Sequence, residues 1–192
     1  MMMSKILNSC VIILFFAVCV CAQTKSIADA ENQIKNFSNP ANFSVVYDSS
    51  RYVTQAELNF DLLEEKDPLA KQFKKFGWRI STLFAVEGID RKPVRNTLCL
   101  ITQSKKFQFA SSRDLTLRLD SETINLGEAD RSTELRGSKA SENLCWEIDP
   151  QLIRDFAAAE KIEFVAGKVG KPLNSLQLQN LKDYSALVKI DD

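Results

Sequence analysis

The chain has 192 residues, of which 45% are apolar and 12 are Phe, enough for one core of ordinary domain size. Lys plus Arg number 25 and Asp plus Glu 25, a balance that argues against a polyanion binder, which usually carries a marked basic excess. There is no His, which excludes Ser-His-Asp and Cys-His nucleophilic systems, His acid–base catalysis and His metal sites, and 6 Gly leave little room for phosphate-cradling loops.

The first 22 residues predict an export leader. Lys5 is their only charge, and an apolar run of 12 residues extends from Val11 to Ala22. That is short of the ~20 residues of a membrane-spanning helix and suits the central region of a signal peptide. Val20-Cys21-Ala22 suggests cleavage before Gln23, with an uncleaved anchor as the alternative. Cys19 and Cys21 follow Val18 and Val20, where a lipidated Cys normally follows Gly, Ala or Ser, so a lipid anchor is not expected. Cys99 and Cys145 then remain, both in strand-like stretches. They form either one disulfide in an oxidising compartment or two buried free thiols, and sequence leaves both open. Neither has a His partner or a CxxC neighbour, so neither reads as a catalytic thiol.

In chain order, residues 23–39 form an N-terminal arm with a short helix, Ser26 as its cap and Ile27, Ala30, Ile34 and Phe37 at helical spacing. Asn39-Pro40 ends it, and a single β-rich domain over 40–192 follows. Ala56, Leu58, Phe60 and Leu62 alternate with polar residues as a half-buried strand. Glu64 to Pro68 is a polar break. Residues 78–86 predict a strand with Ile80, Thr82, Phe84 and Val86 on one face, and 88–93 a charged loop. Residues 97–102 and 106–110 suggest a hairpin around Gln103-Ser104-Lys105. A second hairpin joins Leu115, Leu117 and Leu119 to residues 123–126 through Asp120-Ser121-Glu122. Residues 127–137 are polar and give no division.

Leu144, Trp146 and Ile148 mark another strand. Asp149 and Pro150 open a helix with Leu152, Ile153, Phe156 and Ala157 as its apolar stripe. Residues 161–166 form a strand ended by Gly167, and Asn174 caps a last helix facing Leu178, Leu181, Tyr184 and Leu187 or Val188 inward. The fold class expected is α+β, mainly β: an antiparallel β-sandwich or rolled sheet with a C-terminal helix–strand–helix.

Between residues 95 and 190 the run Thr97-Leu98-Cys99-Leu100-Ile101, Leu115 to Asp120, Thr123 to Leu126, Trp146 to Asp149, Leu152 to Ala157 and Ile162-Glu163-Phe164 resembles the layout of uncharacterised exported bacterial β-rich domain proteins. The resemblance implies an exported β-rich domain. It brings across no catalytic or binding residue, and the two Cys are not part of it.

Candidate chemistry rests on carboxylates. Glu57 and Asp61 share the outer face of one strand and Glu64-Glu65 follow, but a glycosidase pair stands about 5–9.5 Å apart across a cleft. Asp48, Glu87, Asp90 and Asp130 are dispersed without a DxDxDG loop, and Asp191-Asp192 is a terminal pair, so no metal or cofactor is assigned. Lys71-Lys74-Lys75-Arg79, Arg91-Lys92-Arg95 and Lys105-Lys106 are basic clusters. Phe73, Phe76 and Trp78 interleave with the first, which reads as a charged loop with aromatic anchors, contact with an anionic surface or cell-wall polymer being the minor alternative. Trp146 belongs to the core; Trp78 belongs there too unless an edge position turns it toward a ligand. Asn36-Phe37-Ser38 and Asn42-Phe43-Ser44 match the glycosylation sequon, which matters only in a eukaryote.

The expectation is an exported, non-enzymatic binding or interaction module. Its partner is a protein, a surface polymer or a small ligand, without nucleic acid and without a membrane span after leader cleavage. The alternatives are a cell-envelope hydrolase working with carboxylates alone and a structural assembly module. No catalytic, cofactor or metal residue is nominated, and Cys99 and Cys145 are the one candidate pair.

Overall fold

Alternating burial builds most of this protein. In the computed structural model, which describes residues 25–64, 66–89 and 92–188, the leader expected over residues 1–22 lies outside the described residues. So do Glu65, Asp90, Arg91 and Asp191-Asp192. Helix α1 (Ile27–Ile34) is capped by Ser26, whose hydroxyl accepts from the Asp29 amide at 3.1 Å. It buries Ala30 and Ile34 in the common core, and Phe37 beyond its end packs on Phe43 at 4.8 Å between ring centroids.

Strands β1 (Phe43–Asp48), β2 (Val53–Asp61), β3 (Phe73–Phe84), β4 (Arg95–Ser104), β7 (Asp130–Arg136) and β8 (Lys139–Glu147) form one antiparallel sheet in the order β1-β2-β3-β4-β8-β7. Strands β5 (Asp114–Leu119), β6 (Glu122–Glu128), β9 (Ile162–Ala166) and β10 (Val169–Pro172) form a second, ordered β10-β9-β5-β6. Ala129 alone separates β6 from β7, so the chain turns from one sheet into the other within a single residue. The Trp146 indole N–H fastens that corner by donating to the Gly127 carbonyl at 2.9 Å.

Helices α2 (Pro150–Ala158) and α3 (Ser175–Val188) begin where their caps place them. The Asp149 carboxylate accepts from Gln151 N at 2.7 Å, and Pro150 occupies the first helical turn. Asn174 Oδ1 accepts from Gln177 N and Gln177 Oε1 accepts from Asn174 N, both at 2.9 Å, a reciprocal capping box. One face of each sheet and the helices close on one core. Trp78 packs edge-on to Phe164 at 4.8 Å and lies 6.0 Å from Trp146, and Phe156 of α2 lies 5.5 Å from Phe164. This is the mainly β, two-sheet antiparallel α+β fold expected, with α3 closing the chain.

Four local expectations need correction. Residues 106–110 are not a strand, and β4 pairs with β3 and β8, forming no hairpin with them. Residues 73–77, expected as charged loop, are the first half of β3. Phe73 and Phe76 are both buried although three positions apart, because a register shift between Phe73 and Lys75 restores the face. The undivided stretch 127–137 holds β7, a mostly exposed edge strand lacking apolar alternation. The single strand before α3 is a hairpin, β9–β10, turning at Gly167 with φ 56°. A Cβ at Gly167 would stand 2.8 Å from the Ser112 carbonyl oxygen, so both conformation and space demand glycine.

Candidate functional site

The six-stranded sheet turns one set of side chains into the core and the alternate set outward. On the outward face, cross-strand register aligns Asn59, Arg79, Cys99, Cys145 and Asp130 in one row. The next rows are Asp61, Gly77, Ile101, Asn143 and Ser132, then Lys75, Gln103, Ser141 and Glu134. Ile101, Gln103, Ser141 and Asn143 are half-buried. They floor a shallow trough of about 340 Å³, with Lys75 on the β3 rim and Glu134 on the β7 rim.

The floor is hydrogen-bonding and nearly uncharged. Glu134 accepts from Arg136 Nε at 2.6 Å, whereas the exposed Lys75 ammonium has no partner among the described residues. Across three strand spacings of about 4.8 Å each, an unpaired ammonium on one rim therefore faces an arginine-compensated carboxylate on the other over a polar base. Cys99 and Cys145 occupy directly opposed positions, with Cα atoms 4.1 Å apart and the sulfurs bonded as a disulfide, which sets the bridge beside the trough. Of the two readings left open by sequence, the structure shows the bridge.

The carboxylates singled out from sequence do not converge. Glu57 accepts from Gln55 Nε2 at 2.6 Å and stands 3.8 Å from Arg79 Nη1; Asp61 Oδ1 accepts from Leu63 N at 3.0 Å. Four residues along a strand place them about 13 Å apart, beyond the reach of a glycosidase pair. Asp48 holds the Ser50 amide and hydroxyl at the β1–β2 turn, and these bonds with the nearby Arg51 keep its carboxyl below the usual carboxylate range. Glu147 pairs with Arg95 at 3.5 Å. No group of three or more metal-ligating side chains assembles among the described residues.

Trp78 lies on the central strand β3, 1% exposed, so it belongs to the core and presents no ring at an edge. Two residues that sequence reasoning passed over organise the neighbourhood. The fully buried Glu142 carboxylate accepts from Gln108 N at 2.5 Å, Phe109 N at 3.2 Å and Arg131 Nη2 at 2.8 Å. It thereby clamps residues 105–113 onto β7 and β8. Glutamate within a strand whose neighbours Ala140 and Leu144 point inward was the available signal.

No helix among the described residues is long and apolar enough to cross a membrane. No family model, curated protein or solved structure matches this chain.

Proposed function

We propose that the protein is an exported, non-enzymatic binding module that takes a polar partner on the outward face of its six-stranded sheet. The observation that carries this reading is the trough itself. It combines a floor of amide and hydroxyl groups, one apolar side chain at Ile101, the Lys75 ammonium on one rim and the Arg136-paired Glu134 on the other. Such a surface satisfies the backbone or side-chain polar groups of an extended ligand better than it orients a reacting bond. Export is supported by the apolar leader and by a disulfide, which persists in oxidising compartments. The resemblance of residues 95–190 to the layout of exported bacterial β-rich proteins supports the same reading.

The test is the native mass of the chain recovered from its own envelope fraction or medium, alone and with Asn143→Lys in the trough floor. The reading expects extra mass that vanishes on denaturation and is missing from N143K. A bare mass for the unmodified chain, or equal extra mass on both, would overturn it.

A further inference from the structure

Folding gathers charges that are scattered in sequence. Strand β3 begins, β4 ends, β8 begins and β7 ends at the same end of the six-stranded sheet, since Phe73 pairs with Ser104, Ser104 with Ala140 and Ala140 with Leu135. Lys71, Lys74, Lys75, Lys105, Lys106, Arg136 and Lys139 therefore come together there, all exposed. The Gln72–Gln108 side-chain hydrogen bond of 2.8 Å draws the Lys71 turn toward the Lys105–Lys106 loop. Arg136 is paired with Glu134, but none of the six lysine ammonium groups has a hydrogen-bond or ion-pair partner among the described residues. At the opposite end two of the arginines are paired: Arg51 lies 3.5 Å from Asp48, and Arg95 3.5 Å from Glu147.

Two large apolar side chains stand exposed within this basic end. Leu135 is 64% exposed near the tip of the β7–β8 hairpin, and Phe107, 38% exposed, lies between Lys106 and the Arg131 guanidinium, 5.2 Å from its ring. Lysines alone would meet any polyanion. Lysines flanking an exposed leucine and phenylalanine match an anionic lipid surface, where headgroups neutralise the ammonium groups and the acyl boundary takes the apolar ones. The clamp at Glu142 holds the Gln108 and Phe109 amides, directly after Phe107, and so fixes this part of the loop.

We infer that the basic end of the six-stranded sheet is a peripheral docking surface for anionic phospholipid; it shares Lys75 with the trough rim but rests on Lys74, Lys105, Phe107 and Leu135, which do not line the trough. The contact is electrostatic attraction by the lysines with shallow insertion of Leu135 and Phe107. It involves no membrane-spanning segment and leaves the outward face open.

Co-sedimentation of the full chain with vesicles of phosphatidylcholine, alone or mixed with phosphatidylglycerol, tests it. Binding is expected to the mixed vesicles and to fall steeply as salt is raised to about 0.5 M, where screening lengths shrink to a few ångströms. Lys74→Glu with Lys105→Glu should lower the partition more than about tenfold, while the control pair Arg51→Glu with Arg113→Glu, matched in net charge, should leave it within about twofold. Leu135→Ser should weaken binding several-fold at unchanged charge. All these sites but the half-buried Arg113 are exposed, and unchanged urea midpoints would verify folding. Equal binding to neutral and mixed vesicles, no binding to either, or equal loss from both charge pairs would overturn the inference. So would undiminished binding by L135S together with full competition by dextran sulfate, the result expected of a polyanionic-polymer site.

Discussion

Cys99 of β4 and Cys145 of β8 are register partners on the outward face of the six-stranded sheet, their Cα atoms 4.1 Å apart. That is near the closer of the two spacings in an antiparallel ladder, about 4.5 Å, and it lets the sulfurs meet without either strand leaving the sheet. The bridge closes 46 residues of chain, including all of β5, β6 and β7. Constraining a loop of that length in the unfolded chain stabilises a fold by about 2–4 kcal/mol. Cys99→Ala with Cys145→Ala should lose that much in urea denaturation, and reductant should then have no further effect.

Glu142 should prove the most expensive polar side chain to remove. Its carboxylate accepts from two backbone amides and from the Arg131 guanidinium with no exposure to water. Glu142→Leu leaves Arg131 uncompensated in a mostly buried site, at a cost of about 3–5 kcal/mol. Hydrogen exchange at Gln108 and Phe109 should accelerate together, because both amides lose the same acceptor.

Tyr184 of α3 reaches across the core. Its hydroxyl donates to the Ala56 carbonyl at 3.0 Å and shares a hydrogen bond with Thr82 Oγ1 at 2.9 Å. Tyr184→Phe should cost about 1–3 kcal/mol, because the buried Thr82 hydroxyl loses its partner. Burial also pushes the Tyr184 phenol well above its ordinary value of 10.0. The folded chain keeps the phenol neutral, so its contribution is full below pH 10 and declines above it as the unfolded chain ionises. The urea midpoint should fall more steeply above pH 10 in the native chain than in Y184F.

Asp67 and Lys171 predict the opposite sign. The Lys171 ammonium donates to the Asp67 carboxylate and to the Leu62 carbonyl, tying β10 to the segment after β2. Lys171 and the Leu69 amide hold the Asp67 carboxyl below its ordinary 3.8. A depressed carboxyl stabilises the fold above its unfolded value and loses that contribution as pH falls through the folded one. The stability gap between the native chain and Asp67→Asn should therefore be open at pH 7 and narrow steadily below pH 4.

Asn180 on α3 is 1% exposed, and neither its amide nitrogen nor its oxygen has a partner among the described residues. A buried, unpaired amide costs about 1–3 kcal/mol. Asn180→Leu, which removes the polar atoms and keeps most of the volume, should raise the urea midpoint. A fall would mean that an ordered water satisfies the amide.

Local physics was the part of this fold legible in advance. Ser26, Asp149 with Pro150 and Asn174 cap the three helices because a cap is a contact between residues two or three apart. The β2 alternation and the β5–β6 hairpin were equally readable, since each has one apolar face and a tight turn. The misread elements share a cause. Strand β7 is held by its backbone pairing to β8 and so needs no apolar face. The charged start of β3 hides its period behind a register shift.

The sites divide in the same way. Sequence alone determined the leader pattern, the mainly β class, the absence of His chemistry and the two Cys that could meet. Only the tertiary structure decided that they do meet, that Glu57 and Asp61 stay apart, and that a chain of balanced charge keeps seven basic side chains at one end of a sheet. Net charge sums over the chain and is blind to position. Position here comes from strand register, which pairs residues dozens of places apart through backbone hydrogen bonds that side-chain composition does not encode.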